Sequence, residues 1–269
     1  MSEFEGTTIA ITGSAQGIGQ EMAERFAGLG ANIVLSDVNG ERLKATEDGI
    51  RRSSDAVTSI QTDVTNPDDC SAMVDHAVST FGRLDVMVCN AGVVQVKPFL
   101  EIAPEEWDLT FDVNVKGTFL TMQAAARQML AQDALTDGRP SGKIINMGSI
   151  AGRYASGPMA PIIPHYRASK AAVINLTHAA SFTFAPKITV NAICPGLVET
   201  DMWKKIDAEW SAVEGWETGT AWKTRTAAVP LGRPQSSADV ANLAQFLASP
   251  GSDYMTGQAI NVDGGLTMG

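Results

Sequence analysis

Apolar and polar positions follow two alternating registers along this chain. From residue 7 onward, short runs that are apolar nearly throughout are each followed by a longer segment with apolar residues at helical spacing. TTIAIT precedes IGQEMAERFAGLG, ANIVLSD precedes NGERLKATEDGI, and AVTSIQTD precedes PDDCSAMVDHAVSTFG. The pattern continues with LDVMVCN, a long segment ending in TFLTMQAAARQMLAQ, then KIINMGS, YRASKAAVINLTHAA, ITVNAICP, SSADVANLAQFLAS and QAINVD. A run that is apolar on both of its faces suits a strand covered on both sides, and amphipathic helices between such runs supply the cover. The expected fold is α/β: one doubly wound domain over residues 1–269, with a mostly parallel sheet of seven strands. No internal repeat, low-complexity tract or domain linker interrupts it.

Composition narrows the function classes. The chain has 269 residues, 44% of them hydrophobic, enough for a sizeable core. No apolar run approaches the ~20 residues a membrane helix needs, and MSEFEGTTIAITG lacks the basic start and apolar stretch of a secretory leader. A cytoplasmic location is expected. Thirty acidic against 20 basic residues give a net charge of −10, which repels nucleic acid and anionic membrane surfaces. The three cysteines, Cys70, Cys89 and Cys194, have no C-x-x-C spacing and read as reduced packing residues, with no metal site.

After the first apolar run comes Thr12-Gly13-Ser14-Ala15-Gln16-Gly17-Ile18-Gly19. Glycines at a strand-to-helix turn let the backbone approach a pyrophosphate, and the N-terminus of the following helix favours anionic oxygens. The second run ends at Asp37, where a carboxylate can accept hydrogen bonds from the adenosine ribose and repel a 2′-phosphate. Neither Gln16 nor Val38 supplies a cation beside it, so NAD is expected over NADP.

Tyr166 and Lys170 stand four residues apart in a segment expected to be helical, so phenol and ammonium share one face. An ammonium about 4 Å away at an effective dielectric near 20 contributes ~4 kcal/mol. That equals roughly three pKa units and would bring a phenol of ordinary pKa ~10 near ~7. Such a group can take a proton from an alcohol or give one to a carbonyl. Ser149 adds a hydroxyl for the same substrate oxygen.

With TGSAQGIG, Asp37, Asp63-Val64, CNAG at Cys89 to Gly92, Asn114, Ser149, Tyr166-x-x-x-Lys170 and Pro195-Gly196 in this order, the chain resembles the short-chain dehydrogenase/reductase family from Thr8 to the closing NVDGG. The resemblance implies a Rossmann-type domain holding cofactor and substrate together. It implies that Gly13, Gly17 and Gly19 line the pyrophosphate, Asp37 the adenosine ribose, and Asp63 with Val64 the adenine. Asn90 would shape the cleft, and Thr200 would approach the nicotinamide amide. Gln16, Ile18, Ala91, Gly92, Pro195, Gly196 and Val198 complete the implied cofactor lining. Ser149, Tyr166 and Lys170 would be the catalytic group. Lys170 would also hold the nicotinamide ribose, and Asn114 would join it to solvent through a water. Family members are commonly tetramers, so a homotetramer or homodimer is expected.

Two features depart from the family pattern. Cys89 replaces the first asparagine of the usual NNAG. The Ser149 to Tyr166 interval is longer than usual and holds Pro158, Pro161 and Pro164, for which a stiff extended loop is expected. It either shapes the substrate mouth or is a tolerated surface insertion.

Substrate choice belongs to loops at the carboxyl ends of the strands: Val93 to Phe99, the proline loop, and Leu197 to Ala228. The last carries Trp203, Trp210, Trp216 and Trp222, either capping the site as a lid or serving as packing and oligomer contacts. Within the family the layout resembles the sorbitol and other polyol dehydrogenases. That implies oxidation of a secondary hydroxyl on a small-molecule sugar alcohol or diol, with Gln95, Arg153 and Glu199 as candidate substrate contacts. The alternatives are a 3-oxoacyl carrier-protein reductase using NADPH, which the acidic surface and Asp37 weigh against, and a non-catalytic dinucleotide sensor, which has no need of Ser149, Tyr166 and Lys170 together.

Overall fold

A computed structural model describes residues 3–136, 138–154 and 157–267. All seven apolar runs become strands: β1 (Thr8–Thr12), β2 (Asn32–Asp37), β3 (Val57–Gln61), β4 (Val86–Cys89), β5 (Gly142–Met147), β6 (Ile188–Pro195) and β7 (Ala259–Val262). They lie in the order β3-β2-β1-β4-β5-β6-β7. Every pairing is parallel, a more uniform sheet than the mostly parallel one expected.

The helices are α1 (Gly17–Gly28), α2 (Gly40–Ile50), α3 (Pro67–Phe81), α4 (Pro104–Phe111), α5 (Thr118–Ala131), α6 (Ile150–Arg153), α7 (Pro164–Phe184), α8 (Asp201–Glu214), α9 (Thr220–Thr226) and α10 (Ser237–Ala248). Side chains alternate across a strand, so each continuous apolar run is shared between two helical layers. Ile9, Ile11, Ile33, Leu35, Val86 and Val88 join Met22 and Phe26 of α1 and Val240 and Leu247 of α10. Their neighbours Ala10, Val34, Met87 and Cys89 join Met73 of α3 and Met122 and Met129 of α5 on the other side. Burying each large aliphatic chain stabilises the fold by roughly 1.5–3 kcal/mol, which is why these runs had to be apolar on both faces.

The strand order reverses at β1, which has β2 on one side and β4 on the other. Connections leaving the carboxyl ends of β1 and β4 therefore diverge and open a crevice between them.

Two segments differ from expectation. The long segment before β5 contains a π-helical turn at Asp112–Gly117 between α4 and α5, a local irregularity of a kind that often marks a functional position. The proline loop is not extended. The N–H of Ala160 bonds the carbonyl of Gly157, and those of Ile162 and Ile163 both bond the carbonyl of Met159, so the chain coils into consecutive turns. Met159, Ile162 and Ile163 join a third apolar cluster with Val94, Val96, Trp203, Ile206 and Trp210, and this burial overrides the extended preference of the flanking prolines. Pro164 occupies the first turn of α7, where its missing N–H costs nothing. Residues 155 and 156 of this stretch lie outside the described ones.

Candidate active site

At the end of β1 the backbone must come very close to its neighbours. Gly13 and Gly17 have φ of +64° and +59°, in the left-handed region where a side chain is strained. A Cβ on Gly19 would lie 2.3 Å from the carbonyl oxygen of Gly13, and one on Gly13 would lie 2.9 Å from Cα of Ala91. Asn90 clamps this loop, its Nδ2 donating to the carbonyls of Thr12 at 3.0 Å and Gly13 at 2.9 Å. Thr12 returns the contact, its Oγ1 accepting the N–H of Asn90 at 3.0 Å and that of Ala91 at 3.1 Å. Nothing in the sequence marks Thr12 apart from its place before Gly13; only the neighbouring strand gives its hydroxyl a task.

Gln16 precedes α1 without capping it through its side chain, so main-chain N–H groups at this helix end remain for an anion. Asp37 closes β2, its Oδ2 accepting the N–H of Ala15 at 3.2 Å and its Oδ1 that of Asn39 at 2.9 Å. Each oxygen retains a lone pair for a ribose hydroxyl. The backbone cradle, open helix end and carboxylate fit a dinucleotide. One cation unseen at positions 16 and 38 arrives from elsewhere: Arg42 of α2 donates through Nη1 to Oε1 of Gln16. Asp63 is exposed, its Oδ1 accepting the N–H of Thr65 at 2.9 Å and its hydroxyl at 2.8 Å. Val64 is buried in the core cluster, where a Cβ on Gly117 would come within 2.7 Å of it.

The three candidate catalytic side chains come from α7 and from the residue preceding α6, two helices packed nearly in backbone contact. A Cβ on Gly152 would lie 2.5 Å from the carbonyl carbon of Lys170, so α6 seats directly on α7. Ser149 precedes α6 in extended conformation, its Oγ accepting the N–H of Ala151 at 3.1 Å and hydrogen-bonding the Tyr166 phenol. Lys170 is buried, its Nζ donating to the carbonyl of Met147 at 2.8 Å and lying 5.8 Å from the centroid of the Tyr166 ring.

Asn114, in the π turn, is held by three hydrogen bonds: Oδ1 accepts the N–H of Val93 at 2.8 Å, while Nδ2 donates to the carbonyl of Val93 and to Oγ of Ser169, both at 3.0 Å. Ser169 in turn donates to the carbonyl of Tyr166 at 2.7 Å. The Asn114 side chain and the Lys170 ammonium flank Gly92, a Cβ on which would lie 3.2 Å from Oδ1 and 3.4 Å from Nζ.

The electrostatics run against the simple pairing of phenol and ammonium. Burial pushes the Tyr166 phenol above its ordinary value, the hydrogen bond with Ser149 pulls it back in part, and Cys194 adds a small upward push. The expected fall toward ~7 is therefore not what these residues produce alone. Burial also brings the Lys170 ammonium down from 10.5 to about 8. Desolvation acts on both groups and is the largest influence on each. Cys194, beneath them, is pushed up to about 11 by burial and is no nucleophile.

These residues open onto a cleft of about 500 Å³, with Ile18, Asn90, Gly92, Pro195, Gly196, Val198 and Thr200 along the cradle side. Thr200 stands across from the glycine loop, its Cγ2 lying 3.7 Å from where a Cβ on Gly17 would sit. The buried Gln235 fixes this edge, its Oε1 accepting the N–H of Gly196 at 3.0 Å.

Met159, Ile163, Trp203, Ile206 and Leu266 make an apolar far wall. Gln95, Arg153 and Glu199, the expected substrate contacts, do not line it. The Arg153 guanidinium is turned to β7, donating to the carbonyl of Ala259 at 2.5 Å and to Asn261 Oδ1 at 2.9 Å. Gln95 accepts from Thr110 at 3.5 Å, and Glu199 is exposed.

Of the four tryptophans, Trp203 alone faces the cleft. It packs on Trp222 with ring centroids 5.2 Å apart, and Trp210 packs on Trp216 at 5.9 Å. Buried Asp207 binds α8 to α9, accepting the N–H of Gly219 at 2.5 Å and that of Trp222 at 2.7 Å.

A nucleotide cradle facing a hydroxyl, phenol and ammonium across one cleft is the layout of an oxidoreductase for alcohol and carbonyl groups. The family model described as "Enoyl-(Acyl carrier protein) reductase" matches residues 13–267, and the chain belongs to the short-chain dehydrogenase/reductase family, whose members bind NAD(P). A diacetyl reductase, (S)-acetoin forming, of Staphylococcus epidermidis is 44% identical over 261 residues, which cover 96% of this chain and 98% of the relative. A sorbitol dehydrogenase of Cereibacter sphaeroides is 39% identical over 266 residues, covering 98% and 99%. A crystal structure of a short-chain type dehydrogenase/reductase from Mycobacterium marinum matches with a TM-score of 0.86 at 35% identity, covering 98% and 97%.

Proposed function

We propose that this enzyme oxidises a secondary hydroxyl flanked by a second oxygen function, as in a polyol or small vicinal diol, and reduces the corresponding ketone, with NAD as cofactor. The observation that carries it is the Ser149, Tyr166 and Lys170 group opening onto a cleft of about 500 Å³ beside the glycine cradle. Two relatives support the substrate class, one named for diacetyl and acetoin and one for sorbitol, compounds that share oxygen on adjacent carbons.

When bound, an oxidised nicotinamide supplies the hydride acceptor and a positive ring charge. The chain's own residues do the rest. Ser149 and the Tyr166 hydroxyl hold the substrate oxygen, and Tyr166 takes its proton in oxidation or returns one in reduction. Lys170 contributes positive charge beneath the phenol, and Asn114 positions Ser169 and the turn at Gly92 around it. The paired helices α8 and α9 roof the cleft and exclude water over an apolar wall. Asp37 favours NAD; Arg42 near Gln16 is the one feature on the side of NADP. Exposed Phe119 and Phe182, on α5 and α7, suit the faces of a homotetramer or homodimer.

The test is an assay at 340 nm of 2,3-butanediol and sorbitol with NAD and with NADP, beside a 3-oxoacyl thioester with NADPH. Turnover of the diol or polyol with NAD is expected. Preference for the thioester and NADPH would replace this reading with the carrier-protein reductase.

A further inference from the structure

Three cationic side chains line the catalytic cleft, Arg167, Lys170 and Arg225, and no Asp or Glu lines it among the described residues. In a chain of net charge −10 that local imbalance is unusual. Lys170 is accounted for by its bond to Met147. The two arginines are not: Nη2 of Arg167 and Nε of Arg225 are cut off from water and have no hydrogen-bond partner. Burial lowers the pKa of both guanidinium groups with no acidic neighbour to offset it. A buried guanidinium nitrogen without an acceptor carries a desolvation cost that the fold has not met.

Arg167 directly follows Tyr166 on α7, and Arg225 comes from α9 in the roof. They approach the cleft from separate elements and share its lining with Met159, Ile163 and Trp203. We infer that Arg167 and Arg225 form an anion subsite, so that the physiological substrate is an acidic hydroxy compound bearing a carboxylate or phosphate besides the hydroxyl that reacts at Tyr166. A planar guanidinium matches either group through paired hydrogen bonds. The inference rests on the dehydrogenase reading and deepens it: binding the anion adds no covalent step and fixes which end of the substrate faces the roof.

The experiment compares matched pairs with NAD: 2,3-butanediol against 2,3-dihydroxybutanoate, which differ by methyl for carboxylate, and sorbitol against sorbitol 6-phosphate. The carboxylated or the phosphorylated member is expected to exceed its neutral partner in kcat/KM by about tenfold or more, and whichever pair shows the gap identifies the anion. Arg167→Met and Arg225→Met are each expected to shrink that ratio by about tenfold to a hundredfold, and Arg→Lys at either position to restore part of it.

Neutral compounds used as well as their anionic partners in both pairs by the unaltered enzyme would overturn the inference. So would Met variants that lower NADH affinity and both members of a pair equally, because the arginines would then serve the cofactor or the fold. If no compound turns over, the dehydrogenase reading fails separately. The subsite is then judged by binding: a rise in melting temperature with 2,3-dihydroxybutanoate or sorbitol 6-phosphate that the Met variants lose supports it, and no rise with either overturns it.

Discussion

Replacing Lys170 with methionine should disable the enzyme without destabilising it at neutral pH. Burial lowers the ammonium from 10.5 to about 8, so holding it charged inside the protein costs about 3 kcal/mol. Methionine removes that cost and fills a similar volume. It also removes the bond from Nζ to the carbonyl of Met147, and an abandoned buried carbonyl costs about 1–3 kcal/mol. The two nearly cancel or leave a small gain, so without nucleotide the variant should melt at the same temperature or up to about 5 °C higher at pH 7.

The pH dependence makes the reasoning sharper. Below pH 8 Lys170 is charged in both folded and unfolded chains, and its cost is fully present. Between pH 8 and 10.5 the folded protein has released the proton that the unfolded chain still binds, so the stability of the unaltered enzyme rises with pH. The variant's advantage should therefore shrink through that window and reverse near pH 10, where only the lost hydrogen bond remains. Tyr166 and Cys194 are both pushed upward by burial in either protein; Lys170 opposes that push on Cys194 only as its smallest cause, so the difference is dominated by Lys170 itself. Paired melting curves from pH 6.5 to 10, with activity measured alongside, are the assay. A variant that melts several degrees lower at pH 7, or a difference that widens with pH, would refute the account.

Other substitutions probe the remaining parts. Tyr166→Phe keeps the partly buried ring and removes the titrating oxygen, so turnover should fall by about 10²–10⁴ while NADH binding, followed by fluorescence, is retained. Gly19→Ala would set a Cβ 2.3 Å from a carbonyl oxygen and should cost about 1–3 kcal/mol and weaken NADH binding. Gly49→Ala in α2 meets nothing within 4 Å and should raise stability by roughly 0.5–1 kcal/mol; calorimetry reads both. Thr12→Val removes the acceptor for two N–H groups, with an expected loss of about 1–3 kcal/mol and a higher Kd for NADH. Asp37→Ser should shift the ratio of kcat/KM for NADP over NAD upward by at least about tenfold, since it removes the repelling carboxylate and leaves Arg42; an unchanged ratio would remove Asp37 from cofactor choice.

The order of residues alone determined the architecture. Continuous apolar runs such as NIVLSD and ITVNAICP can be stable only with cover on both faces, and the intervening helical segments are the only elements available to provide it. The glycine turn, Asp37 and the spacing of Tyr166 and Lys170 were legible for the same reason: each is a local relation, set by a few bonds of chain. What the tertiary structure decided are relations between distant segments. Residues 157 to 163 coil because Trp203 and Ile206 offer them an apolar surface, and Thr12 gains its role from Asn90. Arg153 is drawn to β7, Arg42 to Gln16, and Arg225 reaches the catalytic cleft over the roof. The direction of the Tyr166 shift belongs to this second kind as well. Spacing gives the attraction between two charges, but desolvation depends on how much protein surrounds them, and that quantity exists only once the chain has closed.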